Sequence, residues 1–164
     1  MIKTIAKYKY FLLLFVIAVI LAVLYVNGKK SVHHEIYINA STENVWSILM
    51  DTESYESWNP VLKVISGELE KGKSIVYEFK QDDDISEIKA TVEEVVPAKL
   101  LNQTGGTPIV FSFDHKYILE KDVIGTKFTI HVDYRGIGVN WWSPTSVAIA
   151  YSKLASALEQ RAES

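Results

Sequence analysis

Between Ile36 and Pro60 the chain reads Ile-Tyr-Ile-Asn-Ala-Ser-Thr-Glu-Asn-Val-Trp-Ser-Ile-Leu-Met-Asp-Thr-Glu-Ser-Tyr-Glu-Ser-Trp-Asn-Pro. Ile36 and Ile38 alternate with Tyr37 and Asn39, the period-two pattern of a half-buried strand. Ser41 or Thr42 then offers a side-chain oxygen to the free N–H groups of a helix whose apolar positions are Val45, Trp46, Ile48 and Leu49. Asp51 or Thr52 restarts a helical turn. Pro60 ends it, because the residue before a proline is pushed out of the helical region. The order is strand, capped helix, short second helix and aromatic plug.

That succession resembles the START-like (SRPBCC) superfamily, and within it the polyketide cyclase/dehydrase and lipid-transport type. The shared features are Ala40-Ser41, Val45-Trp46, Asp51, Tyr55 and Trp58-Asn59-Pro60, with looser likeness from Val32 to Glu163. The resemblance implies an α+β helix-grip fold, a curved antiparallel sheet wrapped around a long C-terminal helix. It implies a hydrophobic small molecule or lipid as ligand and does not choose which.

Downstream of Pro60 the pattern is strands and turns. Val61–Ile65 and Ser74–Lys80 flank a turn at Glu70-Lys71-Gly72-Lys73, and Gln81-Asp82-Asp83-Asp84 reads as a charged hairpin tip. That acidic run lacks the ligand spacing and glycine of an EF-hand loop, so it is read as a solvated turn. Ile88, Ala90 and Val92 alternate in the next strand. Val96-Pro97-Ala98-Lys99 turns into Leu100–Thr104, and Gly105-Gly106-Thr107-Pro108 is expected to break the chain. Two long strands follow, Ile109–Lys121 and Thr126–Arg135, joined at Val123-Ile124-Gly125-Thr126. The first presents Phe111, Phe113, His115, Tyr117 and Leu119 on one face; the second presents Phe128, Ile130, Val132 and Tyr134.

The last element starts near Ser143-Pro144, proline being favourable in a first helical turn, and runs through Ala162. Val147, Tyr151, Leu154 and Leu158 recur at helical spacing, so this face must close on one face of the sheet. Aromatic inner faces on a curved sheet leave room for a cavity beneath such a helix. Tyr77, Phe79, Phe111, Phe113, His115, Tyr117, Val132, Tyr134, Tyr151 and Leu154 are the residues expected to bind a ligand there.

Enzymatic signatures are missing from this pattern. No Ser or Thr sits in a Gly-x-Ser-x-Gly turn, no His-Glu-x-x-His spacing occurs, and Gly105-Gly106 precedes a strand rather than a helix. His33-His34 would point to opposite faces of a strand, which suits a surface pair better than a metal site. No catalytic residue, metal or cofactor is therefore expected. His115 is the one titratable side chain on an apolar face. It reads as a hydrogen-bonded core histidine, as a polar anchor for a ligand oxygen, or as a general base in a cyclase or dehydratase. Trp46 and Trp58 read as packing. Trp141-Trp142 reads as an exposed aromatic pair for a bilayer interface or a partner protein, or as burial against the final helix.

Upstream, Tyr10–Val26 contains no charged residue and is flanked by Lys3, Lys7 and Lys9 on one side and Lys29 and Lys30 on the other. This gives a basic tail (1–9), a single membrane anchor (10–26), a polar linker (27–31) and the ligand-binding domain (32–163). A helix over the apolar run is near the short end of what spans a bilayer. A cleaved signal peptide competes with this reading, but the apolar run exceeds a usual h-region and no Ala-x-Ala site follows. A short tail before a long domain is the pattern of a signal-anchor, so the domain is expected on the extracytoplasmic face. The lysine bias is small and favours a cytoplasmic N-terminus. With no cysteine in the chain, neither a disulfide nor a lipoprotein anchor is available. After Lys30 the chain has 20 acidic against 12 basic residues, a net −8, whereas the first 30 residues carry +5. So acidic a domain argues against nucleic acid and against broad adhesion to anionic lipid.

Overall fold

The computed structural model describes residues 2–81 and 84–164; the expected acidic tip falls partly outside them, at Asp82 and Asp83. Helix α1 (Ile2–Asn27) leads directly into strand β1 (Lys29–Ile38). Helix α2 (Thr42–Met50) follows, then a 3₁₀ turn (Thr52–Ser54) and the one-turn helix α3 (Tyr55–Trp58). Strands β2 (Leu62–Gly67), β3 (Ser74–Gln81), β4 (Asp84–Val96), β5 (Leu100–Thr107), β6 (Phe111–Asp122) and β7 (Gly125–Arg135) come next. A 3₁₀ turn (Ile137–Trp141) and helix α4 (Thr145–Ala162) close the chain.

All seven strands form one antiparallel sheet in the order β1-β7-β6-β5-β4-β3-β2, so only β1 crosses to a non-sequential neighbour. Register shifts at Val64/Ser66 in β2 and at Val92/Glu94 in β4 mark bulges, which bend their strands and curve the sheet. Inward-facing Ile75, Val92, Leu101, Phe128, Ile130 and Val132 meet Val147, Leu154 and Leu158 of α4 in one core. This is the expected helix grip.

The opening stretch folds as its residues dictate. Ser41 is the N-cap of α2, its Oγ accepting from the Asn44 N–H at 3.2 Å. Tyr55 is buried and donates its hydroxyl to the Leu49 carbonyl at 2.5 Å, tying α3 to the end of α2. Asn59 Oδ1 accepts from the N–H groups of Val61 and Leu62 at 3.0 and 2.9 Å, which turns the chain into β2. Replacing Ser41 by alanine removes the cap and is expected to cost about 1 kcal/mol of domain stability, read as a lower urea midpoint at unchanged slope.

Two expectations are corrected. The stretch 27–31 is not a linker: Lys29–Ser31 pair with Arg135–Asp133 as the first residues of β1. Nor do Gly105 and Gly106 break the chain, since they continue β5 opposite Phe113 and Ser112. A Cβ on Gly105 would lie 2.4 Å from the Phe113 ring, so glycine there admits an aromatic side chain, and the turn falls at Pro108–Val110 instead.

Helix α1 from Tyr8 to Asn27 is 20 residues long, apolar enough to cross a membrane and not covered by the rest of the protein. Its end is built into the domain. Asn140 Nδ2 donates to the Leu24 carbonyl at 2.8 Å, which also accepts the Gly28 N–H at 2.9 Å. Gly136 donates its N–H to the Gly28 carbonyl at 2.9 Å, and Lys30 Nζ donates to the Trp142 carbonyl. A Cβ on Gly28 would sit 2.0 Å from the Gly136 carbonyl oxygen, so only glycine fits this junction.

Candidate functional site

Between the sheet and the first half of α4 lies a cavity of about 570 Å³. Strands β2 to β7 supply its wall, β3, β6 and β7 through alternate inward positions and β4 and β5 through consecutive residues near the opening, and α4 supplies Val147 and Tyr151. Eight of the ten side chains singled out from sequence lie around it: Tyr77, Phe79, Phe111, Phe113, His115, Tyr117, Tyr134 and Tyr151. Val132 and Leu154 do not. Both are fully buried in the packed core, Val132 directly beside His115 in the register of β6 and β7.

The polar groups in this wall form two pairs and one singleton. Gln103 Nε2 donates to Tyr77 Oη at 2.7 Å, both side chains being buried. Tyr134 and Tyr151 bring their hydroxyls to 3.3 Å. His115 pairs with Gln103 across β5 and β6, and its ring lies 4.4 Å from that of Tyr117 and 5.1 Å from that of Tyr151. Its Nε2 is buried without a hydrogen-bond partner among the described residues. A buried polar atom in that state costs free energy unless something else satisfies it.

Burial sets the charge of the wall. It lowers the His115 pKa to about 3, so the imidazole is neutral at physiological pH. It pushes Tyr77 upward, against a smaller opposing pull from the Gln103 hydrogen bond, and pushes Tyr117, Tyr134 and Tyr151 upward as well. The deep wall is therefore uncharged, with Glu87 and Lys89 exposed where the cavity reaches the surface. Such a chamber suits a largely apolar molecule carrying one or two hydrogen-bonding groups.

The cavity opens at one end of the sheet. Register pairs Lys29 and Ser112 with Arg135, Thr107 with Phe111, and Gln81 with Asp84, which places those strand ends together. Gln81, Ser86, Gly106, Thr107 and Phe111 line the opening there, while Gln103, His115 and Tyr117 lie deep. The tryptophan pair divides. Trp142 turns inward against Phe111 and Tyr134, at 5.2 and 4.5 Å between ring centroids, and Trp141 stays exposed.

Gln103 was the main residue not expected at the site. Its signal was present: Leu101 two positions earlier faces inward, so the same alternation carries Gln103 inward. The imidazoles of His33 and His34 do point to opposite faces, His33 lying 3.4 Å from His131 on the outer surface. Among the described residues no three His, Cys, Asp or Glu side chains converge as metal ligands.

A family profile described as polyketide cyclase / dehydrase and lipid transport matches residues 29–163, most of the chain. The solved structures share the fold at low identity. The di-domain ARO/CYC protein BexL superposes with a TM-score of 0.71 at 12% identity, over 87% of this chain and 53% of that one, about half of its length. A protein from Chromobacterium violaceum gives a TM-score of 0.69 at 15% identity, over 82% and 97% of the two chains. The ZhuI aromatase/cyclase from a Streptomyces species gives 0.61 at 17% identity, over 82% and 94%. No curated protein matches the sequence.

Proposed function

Because the chain belongs to the polyketide cyclase/dehydrase and lipid transport family, we propose that it is a membrane-anchored binding protein that holds a hydrophobic small molecule or lipid between the sheet and α4. The observation that carries this reading is the cavity itself, about 570 Å³ with an uncharged aromatic wall, a volume within the range of small-molecule sites. Tyr77, Phe79, Phe111, Phe113, Tyr117, Tyr134 and Tyr151 would supply the apolar contact. The unpartnered Nε2 of His115 would take a hydrogen bond from a hydroxyl of the ligand. Helix α1 would be the anchor of residues 29–163, and the signal-anchor arrangement would place that domain outside the cytoplasm.

One observation favours a second reading, a cyclase or dehydratase using His115 with a tyrosine for proton transfer: the imidazole is neutral and stands in the cavity wall. The same number weakens it. A base whose conjugate acid has a pKa of about 3 has little driving force to take a proton at neutral pH, and among the described residues no carboxylate raises it. An interaction module would have to rest on Trp141 without its neighbour, because Trp142 lies in the cavity wall.

Native mass spectrometry of the full chain in a detergent of known mass tests the binding reading. One co-purified molecule per chain is expected, recoverable by solvent extraction. Ala90 is buried with its Cβ toward the cavity, so Ala90→Trp should fill the chamber and reduce occupancy to a small fraction while the domain stays folded. Undiminished occupancy in a folded Ala90→Trp protein would show that the molecule lies elsewhere.

A further inference from the structure

The end of the sheet where the cavity opens is also the end from which α1 departs, and it carries an apolar rim. Ile109 and Trp141 are 61% and 73% exposed, Val110 is exposed next to Ile109, and Ile85 is exposed on β4 near the β3–β4 turn at the same end of the sheet. Ile109, Val110 and Trp141 are fixed to the end of α1. Ile137 and Gly138 donate their N–H groups to the carbonyls of Ile109 and Val110 at 2.8 and 2.9 Å, and the same 3₁₀ turn reaches Leu24 through Asn140. Leu24 lies about one helical turn inside the end of α1, so the rim stands beside the last turn of the helix, level with exposed Tyr25 and Val26. Ile109 is held at φ 69°, a left-handed conformation costly for a β-branched residue, and its side chain stays in the open.

We infer that Ile85, Ile109, Val110 and Trp141 seat in the interfacial layer of the bilayer that α1 enters, so that the cavity opens onto the membrane and takes a membrane-resident amphiphile directly from it. This rests on the anchoring reading. A helix whose final turn is clamped to the domain cannot cross a bilayer without bringing the clamp to its surface, and an apolar rim with an indole is what that layer accepts. Asp84 and Glu87 stand at the same end as Lys29 and Arg135, so this end carries charge of both signs and the apolar rim is the feature that suits the interfacial layer.

The absence of cysteine allows one probe at a time. Full-length Val110→Cys and Trp141→Cys proteins, labelled with a polarity-sensitive fluorophore in phosphatidylcholine nanodiscs, should be quenched by iodide several-fold less than Val123→Cys. Val123 is 98% exposed in the β6–β7 turn at the opposite end of the sheet. A Phe15→Cys probe reports on α1. If that probe is embedded while positions 110 and 141 are quenched like position 123, the seating is wrong and the anchor stands. If position 15 is itself open to iodide, the anchoring reading fails and the seating with it. Shielding at 110 and 141 that rises with protein concentration and survives removal of lipid would assign the rim to a second copy of the chain and overturn the inference.

Discussion

Taking the full-length protein from pH 7 to pH 5 should remove about 2 kcal/mol of domain stability through His115 alone, and His115→Gln should abolish that share of the loss. The sign follows from proton counting. In the unfolded chain His115 titrates near the ordinary value of 6.5, whereas burial lowers it to about 3 in the fold. Between those values the unfolded state binds the extra proton, so stability is fully present above 6.5 and lost as the pH falls toward 3. Each pH unit inside the window is worth roughly 1.4 kcal/mol. Asp133, whose carboxylate is held below its ordinary range chiefly by the Ser31 hydroxyl, loses stability in the same direction at lower pH, but equally in both proteins. Urea unfolding at pH 7, 6 and 5 in nonionic detergent separates the two profiles. Parallel profiles for wild type and His115→Gln would mean that the imidazole is hydrated or paired in solution. A ligand hydroxyl on Nε2 would extend the window below 3 and leave the slope between pH 7 and 5 unchanged, since the folded ring is already neutral there.

The placement of His115 was legible because alternation is a property of the strand: once Phe111 and Leu119 face inward, position 115 must follow. The same rule brought six aromatic positions to one cavity without any three-dimensional information, and helical spacing brought Tyr151. It could not separate the cavity from the core. Val132 and Leu154 obey the same periodicities as Tyr134 and Tyr151, and what distinguishes them is complete burial by neighbours from other elements, which no local pattern encodes. Lys29–Ser31 looked like a linker because the first residues of an edge strand are polar and carry no alternation to read. Trp141 and Trp142 lie in irregular backbone with no period at all, so the pair could not be divided into its exposed and buried members.

Phe128→Ala should be the most damaging single substitution proposed for the core, at about 3–5 kcal/mol, a large part of the 5–15 kcal/mol that holds a typical domain together. Phe128 is fully buried on β7, between Ile36 of β1 and Leu119 of β6 in the register of the sheet. Its ring stacks on Tyr117 with centroids 5.9 Å apart and planes at 13°, and Tyr117 in turn packs against His115. Truncation therefore leaves a void that the paired backbone of β1, β7 and β6 cannot close, and it frees the ring that backs the cavity wall. Two readouts should move together: the urea midpoint should fall, and occupancy of the cavity should drop as Tyr117 leans into the space vacated. Leu158→Ala is the contrasting case, fully buried on α4 beyond the residues that line the cavity, with an expected cost of roughly 2–5 kcal/mol and unchanged occupancy. A loss below about 1 kcal/mol for Phe128→Ala would show that the core collapses into the gap. Equal loss of ligand in both variants would show that occupancy follows global stability, and that Tyr117 does not carry the effect from core to cavity.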